Sequence, residues 1–206
     1  MDRIIQVFTL IKPLAQDRFV ESQALIERYC ENNKGVIAAE VISAFKKAFI
    51  QAADLQREEE KGAVRYMILS HLYSSICTGG YSVKLDIFDR RLYADPHEID
   101  VYLRLDWLSG FLAEDMEYFR NELAKRVPSL KGYEMEQIRY RYVYYYHSLA
   151  LELLSESLPS ILQTLEFQQL KVQPDFQVMF GGYMDKAVVI WPKAEVDEVD
   201  NEVFSA

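Results

Sequence analysis

The sequence predicts a mainly α protein: a helical bundle of about six helices with a small antiparallel β element, two hairpins that join in one sheet or lie as separate ribbons on the bundle. Three observations predict it. Apolar residues recur at three- and four-residue steps over most of the chain, as they do in amphipathic helices. Two short segments switch to alternation, one ahead of Asp95 and one near the end. Half of the 206 residues are hydrophobic, enough for a sizeable core.

The elements follow in order. The apolar run Ile4–Ile11 opens a short helix that Pro13 should end, because proline gives no N–H to the ladder. A second helix runs from Gln16 to about Cys30 and stops at the polar turn Glu31–Gly35. In the third, Val41, Phe45, Ala48, Ala52 and Leu55 line one face, and the charge run Arg57–Gly62 reads as a solvated turn. The fourth spans about Ala63–Thr78, with Val64, Ile68, His71, Leu72 and Ser75 on one side and Gly79-Gly80 as its stop. Val83, Leu85 and Ile87 then alternate with Lys84 and Asp86, a half-buried strand, and Leu92-Tyr93 is its hairpin partner.

The fifth helix should start at Asp95 and reach about Arg126. Asp95 is placed as its N-cap, Pro96 suits the first helical position, and Glu98 completes a capping box. Val101, Leu105, Leu108, Leu112, Met116, Phe119 and Leu123 form its apolar stripe. The sixth begins near Gly132-Tyr133, reaches at least Leu158, and keeps helical character past Pro159 to about Leu170. Tyr140, Tyr144, His147, Leu151, Leu154 and Leu158 share one face, and Tyr142, Tyr145, Leu149 and Leu153 the opposite one, so this helix is expected in the centre of the fold. Phe176–Phe180 and Ala187–Trp191 read as a second hairpin around Gly181-Gly182. Residues 1–192 are therefore expected to form one globular domain, and 193–206 an acidic, disordered tail.

The formal charge of −9 disfavours general binding to phosphate backbones. No apolar run approaches a membrane span. Lys12-Pro13 follows the first apolar run where a signal peptide would carry small residues. Cys30 and Cys77 make no disulfide framework and are expected reduced and buried, as in a cytoplasmic protein. Tyr outnumbers Phe and Trp, 14 against 11 and 2, so the core should hold several hydroxyl hydrogen bonds.

No motif specifies one chemistry. His97 lies between Asp95 and Glu98, but capping explains those acids without a metal. Asp115, at the margin of the fifth helix's stripe, is a carboxylate that burial could perturb, though a rim position explains it too. His71 and His147 both fall on apolar faces. An enzymatic or ligand-binding reading brings them together in a pocket between helices four and six, with Tyr144 orienting one imidazole. Arg139 and Arg141 interleave with tyrosines as in a single-strand platform, but the rings continue in phase with leucines. The first expectation is thus a cytoplasmic interaction or regulatory protein that binds another protein through an acidic helical surface, with no cofactor or metal. The His71–His147 pocket is the alternative, and a nucleic-acid module using Arg139 and Arg141 the third. Self-association is compatible with all three.

Overall fold

Thirty residues, Arg3–Asn32, form a single helix, α1, which continues through Pro13. The proline deletes one ladder bond. Val7, Ile11, Ala15, Ser22 and Ile26 share its buried face, and that burial outweighs the lost bond. A computed structural model describes residues 3–192; the acidic tail expected over 193–206 lies outside the described residues. The chain divides into two compact units.

The first unit holds described residues 3–33 and 107–150. Its helices are α1, α4 (Asp106–Ala124) and the first part of α5 (Gly132–Ile161). Tyr29 of α1 stacks on Trp107 at 5.2 Å, Arg18 reaches Asp115, and Arg3 reaches the carbonyl of Pro128. Rising numbers on α1 thus meet falling numbers on α4, so the two run antiparallel. α1 and α5 run parallel, since Arg3 meets Glu134, Phe8 meets Arg141 and Phe19 meets Tyr142. Glu134 accepts the Lys131 N–H at 2.7 Å, the side-chain half of a capping box at the start of α5.

The second unit holds described residues 34–106 and 151–192. Helix α2 (Lys34–Arg57) buries Ile37, Val41, Phe45, Ala48, Phe49 and Ala52. The strands are β1 (Val64–His71), β2 (Ser82–Phe88), β3 (Val101–Arg104), β4 (Val172–Gly182) and β5 (Ala187–Trp191). They form one sheet of order β3-β2-β1-β4-β5. Only the central β1–β4 pair is parallel; the other three are antiparallel. The short helices α3 (Tyr73–Cys77) and α6 (Leu165–Gln168) and the last part of α5 also belong to this unit. At the β4–β5 turn a Cβ on Gly181 would stand 2.2 Å from the Lys186 carbonyl oxygen, so only glycine admits the close return of β5.

The fold is therefore α/β, and the expected helical bundle with two small hairpins is corrected by the five-stranded mixed sheet. Two segments account for the difference. The predicted fourth helix is strand β1 followed by α3; Met67, Ile68, Leu69 and Ser70 are consecutively buried because β1 has strands on both edges and cover on both faces. A short run buried all round has no period to separate helix from strand. The predicted fifth helix starts at Asp106, not Asp95. Val101 and Leu103 are buried and Tyr102 and Arg104 exposed, the alternation of a strand. Leu92–Ala94, expected as a strand, is a single 3₁₀ turn. The second hairpin forms as expected.

Candidate functional site

Alternation along β2 places Val83, Leu85 and Ile87 on one face and Lys84, Asp86 and Phe88 on the other. A strand with one wet face would leave Lys84 and Asp86 in solvent. Both are instead buried, with side chains 5% and 4% exposed. The cover comes from two segments. Residues 89–100 bring Tyr93 against Phe88, ring centroids 5.4 Å apart, and bring the Glu98 carboxylate to the Lys84 ammonium. The β4–β5 turn brings Tyr183, whose ring lies 4.9 Å from the Lys84 Nζ.

Lys84 is thus held by Asp86 at 3.0 Å, by Glu98, and by the face of an aromatic ring. Burial works against its charge most strongly, but the two carboxylates outweigh it and raise the ammonium above the usual lysine range. The amine is a fixed cation at neutral pH and unsuited to nucleophilic or general-base work. Burial pushes the Asp86 carboxyl up, with Glu98 and Asp100 adding to that and Lys84 opposing it. Burial also raises the Tyr93 and Tyr102 hydroxyls, assisted by Asp86 at the first and Asp100 at the second.

Around this pair stand three half-exposed tyrosines. Tyr102 is directly opposite Lys84 in the β2–β3 register. Tyr93, Tyr102 and Tyr183 are 48%, 47% and 44% exposed, and Glu98 keeps 63% of its side chain in solvent. The result is an acidic, ring-edged surface with a buried ammonium beneath it, all within the second unit.

The segment that carries Glu98 is anchored from below. Lys61 and Asp95 form an ion pair with both side chains fully buried, and Lys61 also donates to the carbonyls of Ile87 and His97 at 3.0 Å. Asp95 accepts the N–H groups of His97 and Asp89 at 3.1 and 3.3 Å. Asp95 and Glu98 therefore do not cap a helix, which corrects the capping box expected from the sequence. One pins a loop to Lys61 and the other reaches Lys84. The charge run Arg57–Gly62 hid Lys61 because its neighbours Glu58, Glu59 and Glu60 are exposed.

The histidine pocket lacks the wall it was predicted to have, since the fourth helix is a strand. His71 ends β1 in the second unit, its ring 5.8 Å from that of Phe180. His147 lies on α5 in the first unit, where Tyr144 meets it edge-on at 5.5 Å. Burial lowers the His71 imidazole to about 4 against a weaker pull from Asp185, so it is neutral at pH 7. His97 faces Glu60 at 3.4 Å, and among the described residues no group of three or more His, Cys, Asp or Glu side chains is arranged to hold a metal ion.

Asp115 is at the centre of the first unit, not at its rim. Its Oδ1 accepts from Arg18 Nε and Ser22 Oγ, both at 2.6 Å, and its Oδ2 from the Tyr142 and Tyr146 hydroxyls at 2.7 and 2.5 Å. Four donors fill both oxygens, which leaves no lone pair for acid–base work. Burial, then Asp115 itself, drives both phenols far above their usual range. Arg139 pairs with Glu136 at 3.5 Å and Arg141 covers the Phe8 ring at 4.1 Å, so neither guanidinium stands free beside exposed rings.

A cavity of about 360 Å³ is lined by Ala53, Gln56, Arg57, Glu59, Gln169 and Lys171. Its buried amide, Gln56, already bonds the Gly62 and Lys171 carbonyls and the Lys171 N–H, each at 2.9 Å. That amide is a strut between α2 and the start of β4. Cys30 is partly buried and Cys77 exposed, both as free thiols, so the expectation of two buried cysteines does not hold. No described helix is long and apolar enough to cross a membrane. Comparison with protein-family models, curated proteins and solved structures gave no match.

Proposed function

We propose that this protein is a non-catalytic interaction module that holds a Lys- or Arg-bearing segment of another protein on the tyrosine-edged face around Lys84. One observation carries the reading: the chain's own Lys84 ammonium is bound there by two carboxylates and a ring face. Those are the contacts a foreign cation would make with what stays accessible, namely Glu98, Asp100, Tyr93 and Tyr102. The acidic docking surface expected on helices is assigned in this proposal to the sheet. A net charge of −9 supports a basic partner by attracting it from a distance. The absence of catalysis is supported by the fixed charge on Lys84 and the filled oxygens of Asp115. The cytoplasm is the proposed setting, which suits a protein with an exposed free thiol at Cys77.

The test is selection from a random peptide display library on the immobilised full chain, in parallel with a Tyr102→Ala/Glu98→Gln variant. Enrichment of Lys and Arg is expected on the parent protein and its loss on the variant. Enrichment of acidic or uncharged peptides, or equal enrichment on both proteins, rejects the reading.

A further inference from the structure

Resting on that reading, we infer that the basic segment is bound in extended form, as a sixth strand hydrogen-bonded to the free edge of β3. The strand order leaves β3 outermost beside β2. Leu105 N–H donates to the Tyr81 carbonyl at 2.7 Å, which sets the phase of the antiparallel ladder. Hydrogen-bonded pairs recur every second residue, so Leu103 with Val83 and Val101 with Leu85 exchange bonds across the pair. Tyr102 opposite Lys84 and Arg104 opposite Ser82 are then the non-bonded positions. The neighbouring ladder agrees, because the Ser82 carbonyl is turned the other way and accepts from Leu72 N–H at 3.0 Å. The N–H and C=O groups of Tyr102 and Arg104 therefore point outward, away from β2, on an edge with which no strand pairs among the described residues. Both residues are exposed, Tyr102 at 47% and the Arg104 side chain at 73%.

An edge strand with outward amide groups is a template for strand addition. A strand added there lies roughly 4.8 Å from β3. Its alternate side chains fall on the Tyr102 face, beside Glu98, Asp100 and the ring of Tyr102. A cation is favoured opposite Tyr102, whereas the position opposite Arg104, which already pairs with Asp106 at 2.7 Å, favours a neutral residue. A second copy of the chain is a poor occupant, because edge-to-edge pairing would press two acidic faces together.

The probe is acetyl-Thr-Thr-Thr-Lys-Thr-Arg-Thr-amide, which in an antiparallel strand sets Lys opposite Tyr102 and a neutral Thr opposite Arg104. It is titrated into the full chain by calorimetry and compared with two versions N-methylated at alternate sets of amides. In a strand only one alternate set faces β3. Methylation of that set is expected to weaken binding about tenfold or more, and of the other set by less than about twofold. Hydrogen exchange at the Tyr102 and Arg104 amides should slow at least about tenfold when peptide is bound. Binding that ignores both methylation patterns, with those two amides exchanging as in the free protein, overturns the strand and leaves the cation-binding reading standing. Failure of the heptapeptide to bind while the library still selects Lys and Arg also overturns the strand. Failure of both removes the strand and the reading beneath it.

Discussion

Asp115 places a carboxylate among four donors in the middle of three helices, and no donor could be removed without leaving a gap. Arg18 and Ser22 come from α1 and Tyr142 and Tyr146 from α5, so one side chain of α4 sets the phase of both neighbouring helices. A fully buried carboxylate is tolerated only when its lone pairs are filled. Replacing Asp115 by Ala strands two phenols, a hydroxyl and a guanidinium together. The expected loss is about 3–5 kcal/mol of unfolding free energy. Asp115→Asn should cost clearly less, because the amide keeps one acceptor and its NH₂ can donate to a phenol oxygen. Urea titration followed by far-UV circular dichroism gives both values, and equal losses would show that charge, not hydrogen-bond count, governs the site. The sequence expectation of several core tyrosine hydroxyl bonds is met here by Tyr142 and Tyr146. The particular partner was not legible, since nothing in the spacing of Asp115 separates a rim position from a centre.

Elements were legible where burial is one-sided. In α2 and α4 the stripes Val41–Phe45–Ala48–Ala52 and Leu108–Leu112–Met116–Phe119–Leu123 mark the buried faces directly, and the β4–β5 hairpin announced itself through its glycines. Legibility failed where burial is two-sided or polar. β1 is closed on both faces, so its pattern carries no period. On α5 the stripe through Tyr140 and Tyr144 is half exposed, whereas Tyr142, Val143 and Tyr146 are buried, because tyrosine suits either environment. Lys84 and Asp86 looked solvated because alternation with apolar residues does not reveal that opposite charges two apart neutralise each other on one covered face. Lys61 and Asp95 were missed likewise, and their pairing has a measurable consequence. Asp95→Ala leaves the Lys61 ammonium buried without its carboxylate, at a cost of about 3–5 kcal/mol. The double change Lys61→Met/Asp95→Leu should recover only part of that. It removes the unpaired buried charge, but it leaves the Ile87 and His97 carbonyls and the Asp89 and His97 N–H groups without the partners they had. Limited proteolysis should find residues 89–100 cut faster in Asp95→Ala than in the parent, with the double variant between the two. Equal cutting in all three would mean that the pair does not anchor the segment.

At the scale of the whole chain, acidification separates two causes that could otherwise be confused. The charge of −9 at pH 7 destabilises any compact state by self-repulsion. Protonating carboxylates relieves that repulsion, so bulk charge alone predicts stability that is flat or rising as pH first falls. His71 acts the other way. Burial holds its imidazole at about 4, against an ordinary 6.5 in the unfolded chain. Between those values the unfolded chain binds a proton that the folded protein does not. The contribution is complete above pH 6.5 and declines as pH falls toward 4. Asp89 titrates lower. Burial pushes its carboxyl up, but the Arg91 side chain, the Arg91 N–H and the Gly62 N–H outweigh that and bring it to about 2 from 3.8. Its contribution is complete above 3.8 and is lost as pH falls toward 2. Two successive losses are thus expected in the urea midpoint, the first between pH 6.5 and 4 and the second between 3.8 and 2. His71→Gln should abolish the first and keep the second. Asp89→Asn should start lower at pH 7, keep the first and shrink the second, to which the Glu134, Glu122 and Glu166 carboxyls, also held below their ordinary 4.5, contribute the rest. A parent slope that survives His71→Gln in the upper window would assign the acid sensitivity to another group, and a midpoint that rises there would leave self-repulsion as the controlling effect.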